Sequence, residues 1–173
     1  MSGAHPWLET TPWPDKKMAR ADLEERIART LTLTNLGMLG TIGKDGPIVS
    51  PLEFYAEGLS VYIFPQPNSP KHRAIKRDPR VGFAVANPMA GWVSARGAQL
   101  FGTGQLLDPG TPEWEHGMTI FRWQNSTAEL GRPLDERPNG QLLLIEPDRV
   151  VYTEHWLRKY GYAPRQIWRR SEG

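Results

Sequence analysis

Cysteine is absent from the 173-residue sequence. A disulfide framework, a thiolate metal site and a cysteine nucleophile are therefore excluded. The sequence also lacks an HExxH motif and any pair of histidines at helical spacing, which are the usual ligand patterns of zinc hydrolases. A metal-dependent hydrolase is thus excluded as a functional class.

Long hydrophobic segments are also missing. No apolar run approaches the roughly 20 residues that a membrane-spanning helix needs. Residues 1–17 lack the apolar core and the cleavage pattern of a signal peptide. We therefore expect a cytoplasmic protein with no membrane partner. The charge is nearly balanced, with 21 Lys and Arg against 19 Asp and Glu, so the composition does not indicate a nucleic-acid partner.

Tryptophan, proline and glycine are abundant, with 7, 16 and 17 copies, which indicates a turn-rich chain with large aromatic side chains to bury. We predict a Pro- and Trp-rich extension over residues 1–20, one domain over residues 21–156, and an aromatic and basic tail over residues 157–173. The extension contains Trp7 and Trp13 and is too rich in proline to form its own core. We expect it to pack onto another surface, and a disordered segment is the alternative.

Hydrophobic periodicity predicts a mainly β chain with flanking helices. Asp22 and Glu25 form a capping box ahead of apolar residues at helical spacing, which indicates a first helix. β-Branched and aromatic segments between turn residues indicate strands, which lie at residues 36–42, 47–55, 59–64, 81–85, 93–107, 141–145 and 149–153. We expect the first three to form a meander and the last two a hairpin. Such antiparallel strands lose their exposed edges most simply by closing into a small barrel.

A later helix is predicted with Thr111 as its N-cap and Pro112 at its first position, running through Arg122. A polar loop is predicted to follow over residues 126–139.

A short basic helix is predicted between the third and fourth strands. Ser69 suits its N-cap and Pro70 its first helical position. Lys71, His72 and Arg73 then fall in the first turn, where the helix dipole favours negative rather than positive side chains. A bound phosphate would resolve this conflict, and a solvated, charged helix end is the alternative.

The order of these segments resembles the pyridoxamine 5'-phosphate oxidase-like family of FMN-binding split-barrel proteins. The segments that carry the resemblance, over roughly residues 20 to 156, are TIGKDGPIVSPLEF, LSVYIFP, SPKHRAIKRDPRVGFAV, RGAQLFGTGQLL and LLLIEPDRVVYTEHW. The resemblance implies an α+β fold around an antiparallel split β-barrel of six to seven strands, with residues 21–156 as the FMN-binding domain. It also implies a homodimer that holds FMN at the subunit interface.

The resemblance also implies cofactor-binding residues, which lie on the second strand, after the third strand, at the start of the basic helix and in the tail. They are Ile48, Val49, Ser50, Phe64, Pro65, Ser69, Lys71, His72, Arg73 and Trp156. The strand residues would offer backbone groups to the flavin ring. Lys71 would bind the phosphate, with His72 or Arg73 in place of the arginine that relatives carry at the position of Pro70.

A flavin-dependent oxidoreductase acting on a small molecule is the function that the resemblance implies. Two alternatives remain open. A deazaflavin would need a wider basic groove for its longer anionic tail, and the residues that could supply it are Arg73, Lys76, Arg77 and Arg80. A haem-binding or cofactor-free protein on the same barrel is the other alternative, and the histidines available as axial ligands are His5, His72, His116 and His155.

Overall fold

The computed structural model describes residues 13–172, so Trp7 and His5 lie outside the described residues. This part of the chain folds into one antiparallel sheet with flanking helices. The strands are β1 Leu36–Ile42, β2 Pro47–Glu53, β3 Tyr55–Glu57, β4 Ser60–Ile63, β5 Arg80–Ala86, β6 Arg96–Leu107, β7 Leu142–Glu154 and β8 Arg165–Arg169. The α-helices are α1 Arg20–Thr32, α2 Pro70–Arg77, α3 Pro112–Ile120 and α4 Trp123–Glu129, with 3₁₀ turns at Trp92–Ser94, His155–Tyr160 and Arg170–Glu172. Among the described residues, no helix is long and apolar enough to cross a membrane.

The strand order explains how the sheet becomes a barrel. The order is β2-β1-β5-β6-β7-β4-β3, and β8 also pairs with β7. β2 and β3 are at opposite ends of this order, yet only Phe54 separates them along the chain. The sheet must therefore curl until its two ends meet. β4 and β8 pair with different parts of β7, at residues 143–145 and 149–153. The predicted α+β split barrel is confirmed.

The predicted meander of the first three strands is wrong. β1 and β2 form the expected hairpin, but the predicted strand 47–55 divides at Phe54, and its second part pairs with β4. Core packing causes the division. Phe54 is fully buried, with its ring 4.9 Å from the ring of Phe83, and its N–H donates to the Asn35 carbonyl at 2.9 Å. The alternation of apolar and polar residues does not by itself show that the chain changes its pairing partner at Phe54.

The predicted final hairpin is also wrong, because β7 runs continuously through its turn signal. The pairing with β6 skips Asp148 between Pro147 and Arg149, so the signal marks a β-bulge rather than a turn. Proline is compatible with a bulge because no ladder hydrogen bond requires its N–H there. Gly102 lies opposite Pro147, and a Cβ at this position would collide with the Glu146 carbonyl oxygen. Glycine is thus required by the close approach of the bulge.

The start of α1 differs from the capping-box prediction. Ala19 is the N-cap, and Asp22 lies inside the first turn, where its charge still favours the positive end of the helix dipole. The apolar face is as predicted, since Leu23, Ile27 and Leu31 are buried.

The helix predicted through Arg122 is divided in two. Thr111 caps α3 as predicted and accepts a hydrogen bond from the Trp114 N–H at 3.3 Å. Phe121 then adopts an extended conformation and separates α3 from α4. α4 therefore reaches into residues 126–129, where the sequence predicts a loop.

The segment before α1 is tied to the segment after β7. The Gln166 side chain accepts from the Met18 N–H at 3.0 Å and donates to the Lys16 carbonyl at 3.2 Å. Trp13 lies against the rings of Trp92 and His155, with centroids 5.9 and 5.8 Å away. The expected packing of Trp13 onto another surface is thus observed.

Residues 165–169 form β8, which the sequence analysis did not predict. Buried Gln166 and Trp168 alternate with three exposed residues. The indole of Trp168 donates to the Glu24 carboxylate at 2.5 Å and lies beneath the Arg20 guanidinium. The C-terminal segment is therefore part of the core packing on α1.

Trp168→Ala should lower the free energy of unfolding by about 3–5 kcal/mol, because it leaves a large cavity between β8 and α1. Trp156→Ala is the matched control in the same C-terminal segment. Its side chain is 44% exposed, and the loss should stay below about 1 kcal/mol. Urea unfolding of both variants measures the difference, and equal losses would contradict the described packing.

Candidate functional site

A cleft lies where the two ends of the curled sheet meet, between β2 and the β3–β4 pair. We call this junction the seam of the barrel. Tyr55 on β3 is paired with Tyr62 on β4, and beyond this pair β2 and the chain after β4 diverge. The cleft contains a cavity of about 390 Å³, a volume typical of small-molecule sites. Its lining on the strand side is Leu52, Glu53, Ile63, Phe64, Gln66 and Lys71. Its lining on the other side is Phe121, Trp123, Ser126, Thr127, Leu130, Arg132, Glu136 and Pro138.

The start of α2 places basic residues beside this seam. The Ser69 hydroxyl accepts from the His72 N–H at 3.4 Å, and Pro70 occupies the first helical position. Both features are as predicted, because N-capping and the tolerance for proline depend on local backbone geometry. The helix packs on β1 and β2, which fixes its first turn at the mouth of the cleft.

α2 ends where the sequence predicts. Asp78 is the C-cap, and the following Pro79 excludes the helical conformation at this residue. Hydrogen bonds from Arg80 lower the pKa of Asp78 to about 2. Arg80 is thus engaged by its neighbour at the far end of the helix from the cavity.

Lys71 is the basic residue of α2 that lines the cavity. Its side chain is half-buried, and within residues 13–172 it makes neither an ion pair nor a hydrogen bond. The cavity lining also includes a second cation, Arg132, and two carboxylates, Glu53 and Glu136. The cavity therefore offers both signs of charge.

In this structure the ring nitrogens of His72 are already hydrogen-bonded and are not available to a phosphate or a haem iron. The ring is buried, and the Asn68 N–H donates to its Nδ1 at 3.2 Å. Nε2 therefore carries the proton and donates to Gln141 Oε1 at 2.7 Å. A phosphate or a haem iron would reach either nitrogen only after one of these bonds had broken.

Arg73 is exposed, and its guanidinium donates to the Asn68 carbonyl. Asn68 has a positive φ of 59°, a conformation that asparagine tolerates better than most residues. The contact thus fixes the turn before α2.

The predicted strand residues lie on the other side of the seam. Ile48 and Ser50 are half-buried and Val49 is 69% exposed. Within residues 13–172, β2 pairs only with β1, so one of its edges keeps backbone donors and acceptors that no strand in this range uses. Phe64 lines the cavity, with its ring 5.9 Å from that of Phe121, and Pro65 is buried next to it.

Trp156 lies apart from the other predicted site residues. It belongs to the 3₁₀ turn after β7 and is not part of the cavity lining. Lys159 lies over its ring, with the ammonium 3.8 Å from the centroid. Within one chain the structure does not bring Trp156 to Lys71.

Sequence reasoning missed the wall that α4 contributes. Glu53 Oε2 accepts from the Ser126 hydroxyl at 3.0 Å, and Oε1 accepts from the Tyr55 hydroxyl at 2.9 Å. The Asn125 side chain donates to the same tyrosine oxygen at 3.1 Å. No motif links these residues along the chain, so only the fold could reveal the cluster.

A second polar cluster lies away from the cavity. Glu154 Oε2 accepts from the Tyr152 hydroxyl at 2.7 Å and from Arg26 at 2.9 Å. Burial and the adjacent carboxylate raise the pKa of Tyr152 to about 12. Since Arg26 belongs to α1, the cluster fastens that helix to β7.

The other two histidines in residues 13–172 lie apart from the cavity lining. His116 is exposed and paired with Glu57 at 2.7 Å, and His155 is buried against Trp92 with ring centroids 4.0 Å apart. Among the described residues, no group of three or more His, Asp or Glu side chains could hold a metal ion.

Comparison with known proteins identifies the family. A family model described as pyridoxamine 5'-phosphate oxidase matches residues 23–154. This chain belongs to the pyridoxamine 5'-phosphate oxidase-like family. No curated protein sequence matches it.

Solved structures of several kinds share the family fold. A Listeria innocua protein, provisionally assigned as a pyridoxamine 5'-phosphate oxidase, has a TM-score of 0.61 at 19% identity, covering 75% of this chain and 97% of its own. A haem-binding protein from Mycobacterium smegmatis has a TM-score of 0.64 at 19% identity, covering 88% and 59%. An FAD-binding protein from Mesorhizobium loti has a TM-score of 0.58 at 17% identity, covering 78% and 92%. At these identities the similarity establishes the fold alone.

In this member of the family, His72→Phe should cost about 2 kcal/mol of unfolding free energy or more, because the Asn68 N–H and the Gln141 carbonyl lose their buried partner. Lys71→Met on the same helix turn is the control and should not lower stability, because it removes a half-buried charge. Chemical denaturation tests both variants. An unchanged stability of His72→Phe would show that the ring is not held as described.

Proposed function

We propose that this chain binds FMN in the Lys71 cavity and acts as an oxidoreductase on a small molecule. The observation that carries the proposal is a half-buried lysine without an ion-pair partner in residues 13–172, beside a cavity walled by aromatic rings. Burying a cation without a partner is costly, and a ligand phosphate would offset that cost. When bound, the flavin would supply the hydride chemistry.

The residues on both sides of the seam fit a flavin phosphate and ring. Lys71 would hold the phosphate, and the Ser69 cap keeps the helix turn that carries Lys71 in place. Phe64 and Pro65 would flank the ribityl chain. The free edge of β2 at residues 48–50 would present backbone donors and acceptors to the polar edge of the ring.

The deazaflavin alternative depends on the exposed basic side of α2. Two of its four residues are already engaged, since Arg77 donates to the Ile42 carbonyl and Arg80 pairs with Asp78. Arg73 also has an acceptor at Asn68. These contacts favour FMN, whose single phosphate requires only the cavity-lining cation.

The haem alternative needs an accessible imidazole. His72 has both ring nitrogens engaged, and His116 is paired with Glu57. Neither is among the residues that line the cavity. A Soret band in the purified protein would favour haem, and a flavin spectrum would favour FMN.

We further propose that two copies pair through the outer face of the sheet. Leu36, Met38, Val49 and Phe101 expose 56, 43, 69 and 36% of their surface on β1, β2 and β6. Leu36 and Met38 also line an apolar groove of about 630 Å³. Exposed apolar patches of this kind mark protein interfaces. Since Val49 belongs both to this face and to the predicted cofactor residues, the partner would cover the cofactor.

Gly82 on β5 supports this pairing. It lies opposite Gly40 and Phe101 in the sheet, and a Cβ added there would meet nothing within 4 Å. A glycine inside a strand weakens it unless another group approaches the backbone closely. No such group exists among residues 13–172, so a second copy is the reason we infer.

Lys71→Ala should weaken FMN binding about 10- to 100-fold, the effect of losing one charge-assisted hydrogen bond. Its affinity for riboflavin, which has no phosphate, should be unchanged. Lys76→Ala is the matched control, because Lys76 is an exposed lysine on the same helix and does not line the cavity. Flavin fluorescence titration measures the affinities of wild type and both variants for FMN and for riboflavin. Equal losses for FMN and riboflavin would refute the phosphate contact.

Gly82→Lys should convert a dimer into a folded monomer of about 19.6 kDa, because the added side chain has space within one chain but would enter the interface. Gln124→Lys adds the same charge on exposed α4 and should leave the dimer intact. Light scattering with circular dichroism measures mass and folding. A wild-type monomer, or a Gly82→Lys dimer, would overturn the pairing.

A further inference from the structure

We propose that Glu53 recognises a protonated nitrogen on a planar, aromatic substrate in the Lys71 cavity. The inference rests on the proposed function in taking this cavity as the place where cofactor and substrate meet. It adds the class of substrate and the residue that selects it.

Glu53 is a carboxylate without a cationic partner. It is half-buried at the end of β2, lines the cavity and has no salt bridge within the part of the chain that the structure describes. Each oxygen accepts one hydroxyl hydrogen bond, from Tyr55 and Ser126. A carboxylate oxygen can accept two, so each retains a free acceptor site.

The hydroxyl bonds hold the group in place without neutralising it. Tyr55 is itself fixed by the Asn125 amide and by an edge-on contact with Phe121, at 5.3 Å between centroids. The carboxylate is therefore preorganised, and such rigidity lowers the cost of binding a ligand. A partly desolvated charge of this kind is stabilised most by a ligand cation that also donates hydrogen bonds.

The cavity walls define the rest of the ligand. Phe64, Phe121 and Trp123 place aromatic surface beside the carboxylate. Aromatic walls favour planar ligands, and their faces attract cations. A neutral or anionic planar molecule would leave Glu53 without a partner.

Glu53 could instead serve only to fasten α4 to β2 through Ser126. Two substitutions distinguish the binding of a ligand cation from the fastening of α4. Ser126→Ala deletes the tie and keeps the carboxylate, whereas Glu53→Gln keeps a hydrogen-bonding group of the same size and removes the charge.

The test compares benzamidine, a planar cation, with its neutral isostere benzamide by calorimetric titration of the protein, both with and without added FMN. Wild type should bind benzamidine at least about tenfold more tightly, the worth of one charge-assisted contact. Glu53→Gln should reduce this ratio to about one. Glu57→Gln, which alters an exposed carboxylate on β3, should keep it. Ser126→Ala keeps the charge of Glu53 and removes one of the two hydrogen bonds that orient it, so it should lower the ratio only in part.

Absence of the preference in wild type, or its persistence in Glu53→Gln, would overturn the assignment. A complete loss of the ratio in Ser126→Ala with wild-type stability would also overturn it. A Glu53-dependent preference in a protein that fails to bind FMN would support this inference and refute the proposed cofactor. FMN binding without any preference for benzamidine would support the proposed cofactor and refute this inference.

Discussion

The structure depends on one constraint, which is that a single buried residue joins the two ends of the sheet. Phe54 separates β2 from β3, and these strands terminate the strand order at opposite ends. Because its ring is anchored in the core against Phe83, the sheet has to curl around that point. The gap between β2 and the chain after β4 is the direct result, and the Lys71 cavity lies in it.

The first turn of α2 shows how the fold distributes three adjacent basic residues. Lys71 and Arg73 oppose the helix dipole as cations, whereas His72 is neutral because its Nδ1 accepts a hydrogen bond and its Nε2 donates one. The Arg73 guanidinium donates to the Asn68 carbonyl. Lys71 alone of the three faces the cavity. Within residues 13–172, Lys71 is therefore the first-turn cation that has no acceptor, which favours an anionic ligand at its Nζ atom.

Membership of the family defines the barrel but not the chemistry. Structures that share this fold include a haem-binding protein and an FAD-binding protein, so function depends on the side chains of the site rather than on the fold. In this chain the cleft combines a lysine without an ion-pair partner in residues 13–172, a hydrogen-bonded carboxylate and three aromatic rings. That combination is the basis for proposing an anionic cofactor at Lys71 and a cationic, planar substrate at Glu53.

The sequence by itself determined the features that depend on neighbours along the chain. The N-cap at Ser69, the stop at Pro79, the cap at Thr111 and the β1–β2 hairpin all follow from local backbone preferences, and all are present. Of the cofactor residues that the resemblance implied, Phe64 and Lys71 line the cavity.

Only the tertiary structure decided the features that depend on distant partners. The Glu-Pro-Asp segment of β7 became a bulge because β6 continues to pair on both sides of it. β8 is stabilised by the packing of Trp168 on α1. The short sequence of β8 does not indicate this partner. Glu53 and Ser126 met because the barrel closes at Phe54 and α4 folds back over the seam. Long-range contacts of this kind leave no periodic signal in the sequence, since each depends on the packing of the whole chain.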